Sequence, residues 1–121
     1  MNNILDKILH SSLIKTAFEI SKKYNQELFL VGGVIRDLYL VGSISKDIDF
    51  LVGSNVSSIA LDFSQSFHGS FFCLDKKRGN YRVIINHQGE DYTMDFSPIL
   101  NGDLNRDLLN RDFTINSIAL K

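Results

Sequence analysis

The 121-residue chain contains one cysteine and one proline, and each shortage excludes a class of protein. A single thiol, Cys73, cannot form an internal disulfide, so we expect no disulfide framework. Because Cys73 lies in an apolar run, we interpret it as a small buried side chain. With one proline and 44% hydrophobic residues, the chain is typical of a globular fold and not of a linker or a disordered tail.

Long hydrophobic runs are also missing. No apolar stretch approaches the roughly 18 residues that a membrane span requires. The first apolar stretch contains Asp6 and Lys7, which is not the pattern of a signal peptide. We therefore expect a cytoplasmic protein with no membrane partner.

An excess of positive charge is absent as well. Thirteen basic and fourteen acidic residues leave a net charge of −1. Proteins that bind RNA mainly through its phosphates usually carry a basic face, and the local clusters here are Lys22 with Lys23 and residues 76–78 with Arg82. The charge therefore predicts weak RNA binding by this chain alone. Its length predicts one domain that buries about two thirds of its unfolded surface.

The most informative stretch runs from Leu28 to Phe50. An apolar strand over 27–31 breaks at Gly32 and Gly33 and is predicted to lead into a helix over 34–40. A glycine-rich turn before a helix presents backbone N–H groups that bind phosphate. The next predicted strand, 47–52, carries Asp47 and Asp49. Strand residues alternate between faces, so we expect both carboxylates on one face and their apolar neighbours in the core.

Two carboxylates ~7 Å apart along a strand repel each other unless a positive charge lies between them. Mg²⁺ takes one or two protein carboxylates and completes its shell with substrate phosphates and water. Without the glycine turn, the same residues could form a charged edge strand. With a phosphate-binding turn upstream, they favour phosphoryl or nucleotidyl transfer with Mg²⁺ held by Asp47 and Asp49.

The remaining pattern gives the fold class. Helical spacing covers 3–24, where Ser11 and Ser12 can mark a break with a fresh N-cap, and it recurs over 56–67. Short strands are predicted over 70–74, 81–86 and 91–97, and a final helix over 113–120. This order predicts an α+β fold: a mixed, mostly antiparallel sheet with helices packed on one face.

Three separated motifs add a resemblance. Residues 30–37, residues 46–49 and residues 111–116 resemble, in this order, the motifs of class II tRNA nucleotidyltransferases (CCA-adding enzymes) and bacterial poly(A) polymerases. These belong to the polymerase-β-like nucleotidyltransferase superfamily. The resemblance implies a palm-like core and a template-independent transfer of AMP or CMP from ATP or CTP to a tRNA 3′ end, by a two-metal mechanism.

The resemblance also implies roles for individual residues. The nucleotide-binding residues would be Gly32, Gly33, Arg36, Arg111, Asp112 and Asn116. The family usually has two successive arginines where this chain has Asn110 before Arg111. Asp95 is the candidate third catalytic carboxylate beside Asp47 and Asp49, since a strand adjacent to theirs would place facing side chains ~5 Å apart. Alternatively, Asp95 caps the turn before Pro98.

Family members continue into neck, body and tail domains that carry most of the tRNA-binding surface and the residues that choose ATP or CTP. We expect 1–121 to be the head domain alone, with an N-terminal helix at 3–24 and the palm at 27–121. It would be part of a longer protein or an unusually small enzyme, and full activity would need a C-terminal helical part or a partner chain.

Two other functions use the same core. One is an antitoxin-type minimal nucleotidyltransferase that transfers AMP to a protein, and the other is a nucleotide-binding module without turnover. The first group typically shows a Gly-Ser turn, whereas this chain has Gly32 and Gly33. The intact Asp47 and Asp49 disfavour the second.

Overall fold

The computed structural model describes residues 12–31 and 46–99 and the backbone of 114–116. This part of the chain forms two helices, α1 (Ser12–Lys23) and α2 (Val56–Ser66). Its strands are β1 (Leu28–Val31), β2 (Asp47–Val52), β3 (Ser70–Asp75), β4 (Asn80–His87), β5 (Glu90–Pro98) and β6 (Thr114–Asn116). The predicted helix over 34–40 and the start of the predicted helix over 3–24 lie outside the described residues.

The six strands form one sheet in the order β3-β4-β5-β2-β1-β6. β2 and β5 pair in parallel, and every other neighbouring pair is antiparallel. Parallel strands need a long crossover connection, and here α2 and the β3–β4 hairpin separate β2 from β5 along the chain. The predicted mixed, mostly antiparallel sheet is confirmed.

Both helices pack on one face of this sheet, as predicted. The core of that face contains Leu13, Ile14, Ala17, Phe18 and Ile20 of α1, Val56, Ile59, Ala60 and Phe63 of α2, and Leu28, Leu30, Ile48, Phe50, Val52, Val83, Ile85, Met94 and Phe96 of the sheet. Phe50 and Phe96 stack with their ring centroids 5.0 Å apart, and Phe63 lies 5.5 Å from Phe96. Each such side chain contributes about 1.5–3 kcal/mol when fully buried.

A two-residue turn fixes the register of the β4–β5 hairpin. Gln88 and Gly89 both have positive φ, at 54° and 82°, as the hairpin turn that matches strand twist requires. His87 therefore pairs with Glu90. Counting back from this pair gives the β5 partner of each residue from Tyr81 to His87.

Two sequence-based expectations are wrong. Residues 114–116 form a strand instead of the start of a helix, because their backbone pairs with the edge of β1. Their β-branched Thr114 and Ile115 suit a strand, and pairing with an open edge overrides local helical spacing. Cys73 is exposed, not buried, because it lies on the edge strand β3.

Candidate active site

The candidate site lies on the sheet face opposite the helices. Direct register partners cross the sheet in one line, which we call the central row: Phe72, Arg82, Asp95, Asp49, Val31 and the backbone of Thr114. Directly paired residues of adjacent strands project to the same face. The central row therefore brings side chains from five strands together on that face.

Alternation along β2 places the two candidate metal ligands on this face. Ile48 and Phe50 are fully buried against the helices, whereas Asp47 is exposed and Asp49 is half-buried. Asp47 and Asp49 therefore share the opposite face, as the sequence pattern predicted. On the same face, Leu51 closes β2 with a small apolar cluster that also contains Phe29, Val31 and Ile99.

Asp95 lies on the strand next to β2. In the parallel pairing of β2 with β5, Asp49 is the partner of Asp95 and Asp47 is the partner of Thr93. Neighbouring strands are about 4.8 Å apart, so the backbones of Asp49 and Asp95 are close neighbours. Asp95 lies within β5, which ends at Pro98, so the alternative in which Asp95 caps a turn before Pro98 is wrong.

Arg82 holds the Asp95 carboxylate with two hydrogen bonds. Its Nε donates to Oδ1 at 2.8 Å, and its Nη2 donates to Oδ2 at 3.0 Å. The Arg82 side chain is 41% exposed and that of Asp95 is 22% exposed. A planar guanidinium that engages both oxygens of a carboxylate fixes its orientation as well as its charge.

The aspartates of β2 also act electrostatically on the Arg82 guanidinium. The hydrogen bond from Arg82 to Asp95 and the charge of Asp95 raise the pKa of the guanidinium, and partial burial opposes them. The negative charges of Asp47 and Asp49 raise that pKa further. Arg82 thus lies within the electrostatic field of all three carboxylates.

Lys46 lies at the border of the site. Its carbonyl oxygen accepts a hydrogen bond from the Thr93 amide at 2.7 Å, which joins the start of β2 to β5. Its Nζ lies 3.5 Å from Glu90 Oε2, and both side chains are largely exposed. Such an exposed ion pair contributes about 0–1 kcal/mol, so it has little effect on the stability of the fold.

The other predicted nucleotide-binding residues can be located only along the sequence. Gly32, Gly33, Arg36, Arg111 and Asp112 lie outside the described residues, and of Asn116 the structure describes the backbone in β6. Gly32 follows Val31, the β1 partner of Asp49, in the sequence. Arg111 and Asp112 precede Thr114, the β6 partner of Val31. All three sequence motifs therefore connect to the central row.

Arg82 was not among the predicted site residues and was assigned to a basic cluster. Part of the signal was present, because the glycine-containing segment 87–90 separates the two predicted strands 81–86 and 91–97. A two-residue hairpin turn pairs residue 87 with residue 90, and therefore residue 82 with residue 95. An arginine opposite a candidate catalytic carboxylate could have been identified from that register.

The carboxylates suit a hard divalent cation. Within residues 12–31 and 46–99, no group of three or more His, Cys, Asp or Glu side chains is placed to hold a metal ion. The fitting donor set is the pair Asp47 and Asp49, because Mg²⁺ takes one or two carboxylates and fills its shell with water and substrate oxygens.

The described helices include none long and apolar enough to span a membrane.

Comparison with known proteins gives a consistent family. The family described as the poly A polymerase head domain matches residues 28–99. A CC-adding tRNA nucleotidyltransferase of Geobacter sulfurreducens is 40% identical over 92 residues, which are 76% of this chain and 21% of that protein. An A-adding tRNA nucleotidyltransferase of Deinococcus radiodurans is 37% identical over 92 residues, 76% of this chain and 20% of that protein.

Solved structures share the fold. The Thermotoga maritima CCA-adding enzyme complexed with tRNA superposes with a TM-score of 0.72 at 21% identity, covering 96% of this chain and 29% of that one. The matched part of the chain corresponds to about a fifth of the length of the two curated relatives named above.

Proposed function

Since the chain belongs to the poly(A) polymerase head-domain family, we propose that it is the catalytic head of an enzyme that transfers nucleotides from ATP or CTP to the 3′ end of a tRNA. The relatives named above are called CC-adding and A-adding tRNA nucleotidyltransferases. The observation that supports the proposal is the central row, in which Asp49 and Asp95 are neighbours and Val31 leads into the glycine pair. The predicted phosphate-binding glycines thus follow, along the sequence, the strand that pairs with the carboxylate-bearing β2.

In this proposal Asp47 and Asp49 would hold Mg²⁺. When bound there, the cation offsets the negative charge of the triphosphate oxygens. Of the two carboxylates that would bind the cation, Asp49 is half-buried and Asp47 is exposed. Gly32, Gly33 and Arg36 bind the phosphates through backbone N–H groups and a guanidinium.

Asp95 is the third carboxylate. Arg82 occupies one lone pair on each of its oxygens, and a carboxylate offers about four acceptor positions. Asp95 can therefore still accept the proton of an attacking 3′-hydroxyl while Arg82 keeps it oriented. Arg111, Asp112 and Asn116 orient the nucleotide.

The choice between nucleotides lies elsewhere in this proposal. Relatives with similar identity to this chain, 40% and 37%, are named for adding CC and A respectively. A head that is shared by both activities supplies the common chemistry, and a C-terminal helical part or a partner chain selects the base and binds most of the tRNA. We place the enzyme in the cytoplasm, in keeping with the free Cys73.

An isosteric substitution tests the proposal. Asp49→Asn should abolish Mg²⁺-dependent labelling of a tRNA that lacks its 3′ CCA, measured with labelled ATP and CTP and with a C-terminal fragment added. Asp91→Asn is the matched control, because Asp91 is an exposed carboxylate at the far end of β5 that accepts a hydrogen bond from Asn86. Labelling by a folded Asp49→Asn variant at the wild-type rate, or labelling of protein instead of tRNA, would contradict the proposal.

A further inference from the structure

Three carboxylates and one guanidinium lie on the face that carries the central row. Asp49 and Asp95 belong to the row and Asp47 lies two residues before Asp49 on β2, while Arg82 brings one positive charge through its two hydrogen bonds to Asp95. A guanidinium stays protonated at every pH at which the protein is folded, so this charge is permanent. The two-pronged bond keeps it beside the carboxylates instead of leaving it free to move through solvent.

A fixed positive charge affects any cation that binds to the neighbouring carboxylates. Asp95 is the direct partner of Asp49, and Arg82 is the direct partner of Asp95, so Arg82 lies two strands from β2. Adjacent strands are about 4.8 Å apart, so two strand spacings amount to about 10 Å. This distance between Arg82 and β2 is comparable with the electrostatic screening length of about 8 Å at physiological salt. Repulsion between Arg82 and a divalent cation is therefore only partly screened.

We propose that the Arg82–Asp95 pair sets the divalent-cation affinity of the Asp47–Asp49 site, with Arg82 as the positioning residue whose positive charge keeps that affinity low. The inference rests on the proposed function, because it needs a cation at Asp47 and Asp49. Its consequence is that occupancy depends on the negative triphosphate that arrives with the nucleotide. The negative charge of Asp95 strengthens cation binding at this site and the positive charge of Arg82 weakens it. Removing one charge or the other should therefore change the cation affinity in opposite directions.

The test is a titration of the 121-residue chain with Mn²⁺ alone, followed by the electron paramagnetic resonance signal of free Mn²⁺. Arg82→Gln removes the positive charge and should tighten Mn²⁺ binding about threefold to tenfold. Asp95→Asn leaves Arg82 uncompensated and should weaken binding by a similar factor. The double variant should return to within about twofold of the wild type, because the two charge changes cancel.

Two controls separate charge from packing. Arg82→Lys keeps the charge and loses the two-pronged bond, so its Mn²⁺ affinity should stay within about twofold of the wild type. Arg78→Gln removes the same charge from the exposed turn between β3 and β4, and it should also have little effect. Raising the salt concentration should shrink the Arg82→Gln effect, since the Arg82 side chain is partly exposed.

The outcomes distinguish the inference from the function on which it rests. If the wild type binds Mn²⁺, Asp49→Asn does not, and Arg82→Gln binds as the wild type does or more weakly, then the inference is wrong and the cation site stands. If the wild type and Asp49→Asn bind Mn²⁺ equally, then both are wrong. If the wild type binds too weakly to detect, binding that becomes measurable in Arg82→Gln supports the inference, and no binding in Arg82→Gln contradicts it. Opposite shifts in the two single variants that cancel in the double variant support the inference.

Discussion

Replacing Phe96 by leucine tests whether the core beneath the candidate site holds its two central strands together. Phe96 follows Asp95 in β5, Phe50 follows Asp49 in β2, and the two phenylalanines are register partners. Their rings stack on the helix face of the sheet, directly behind the aspartate pair. Both side chains are fully buried, so the effect of the substitution measures packing without a contribution from solvent.

The expected loss follows from two contributions. Leucine is smaller than phenylalanine by about 25 Å³, and at ~24 cal/mol per Å³ of residual cavity this costs about 0.6 kcal/mol. Phe96→Leu also removes the ring contacts with Phe50 and Phe63, at 5.0 and 5.5 Å, each contributing about 0.5–1.5 kcal/mol. Phe96→Leu should therefore lower the free energy of unfolding by about 1.6–3.6 kcal/mol.

Urea unfolding of the two single variants and the Phe50→Leu/Phe96→Leu double variant measures this loss and the coupling between the rings, expected at about 0.5–1.5 kcal/mol. Phe72→Leu is the control, because it is the same substitution on the same sheet at a side chain that is 46% exposed. It should change stability by less than about 0.5 kcal/mol. Equal losses for Phe96→Leu and Phe72→Leu would refute the reasoning.

Two further predictions concern pH and nucleotide choice. Tyr24 donates a hydrogen bond to Asp62 at 2.7 Å, and this bond, burial and the charge of Asp62 raise the pKa of Tyr24. The stability that the hydrogen bond contributes is therefore complete below about pH 10, the unfolded-state pKa, and is lost as the pH rises through the raised pKa of Tyr24 in the folded protein. Urea unfolding should therefore show Tyr24→Phe less stable than the wild type at about pH 8 and a smaller difference near pH 11; a constant difference would contradict this. If base selection lies outside this chain, calorimetry should show Mg²⁺-dependent binding of all four NTPs within about tenfold, or ~1.4 kcal/mol, of each other. A clear preference for ATP and CTP would show that the head itself reads the base.

Much of the fold could be predicted because its signals are local. The strand over 47–52 was predicted at its observed bounds, since alternation of charged and apolar residues marks a strand with one buried face. The three strands after α2 were predicted to within one residue at each end, because a glycine interrupts each turn between them. The family resemblance then supplied the motifs around Gly32, Asp47 and Arg111.

The features that could not be read locally depend on pairing over long distances. Nothing near Thr114 indicates that its backbone will pair with Val31, more than 80 residues earlier. Cys73 was expected to be buried because its neighbours are apolar, but β3 is an edge strand and Phe72 beside it is exposed as well. Burial of a single side chain depends on which strands flank its own, and the sequence pattern does not state that order.

The position of the aspartates in the sheet explains how the fold remains stable despite the repulsion between their carboxylates. Like charges directly opposite each other in a sheet are destabilising, and Asp49 and Asp95 are such a pair. They lie on β2 and β5, the two central strands, where hydrogen bonds on both sides and the stack of Phe50 and Phe96 resist separation. Arg82 then neutralises one of the two charges from the next strand. The negative charge that destabilises the pairing of these strands also attracts a cation, and the buried stack of Phe50 and Phe96 behind the carboxylates offsets part of the repulsion.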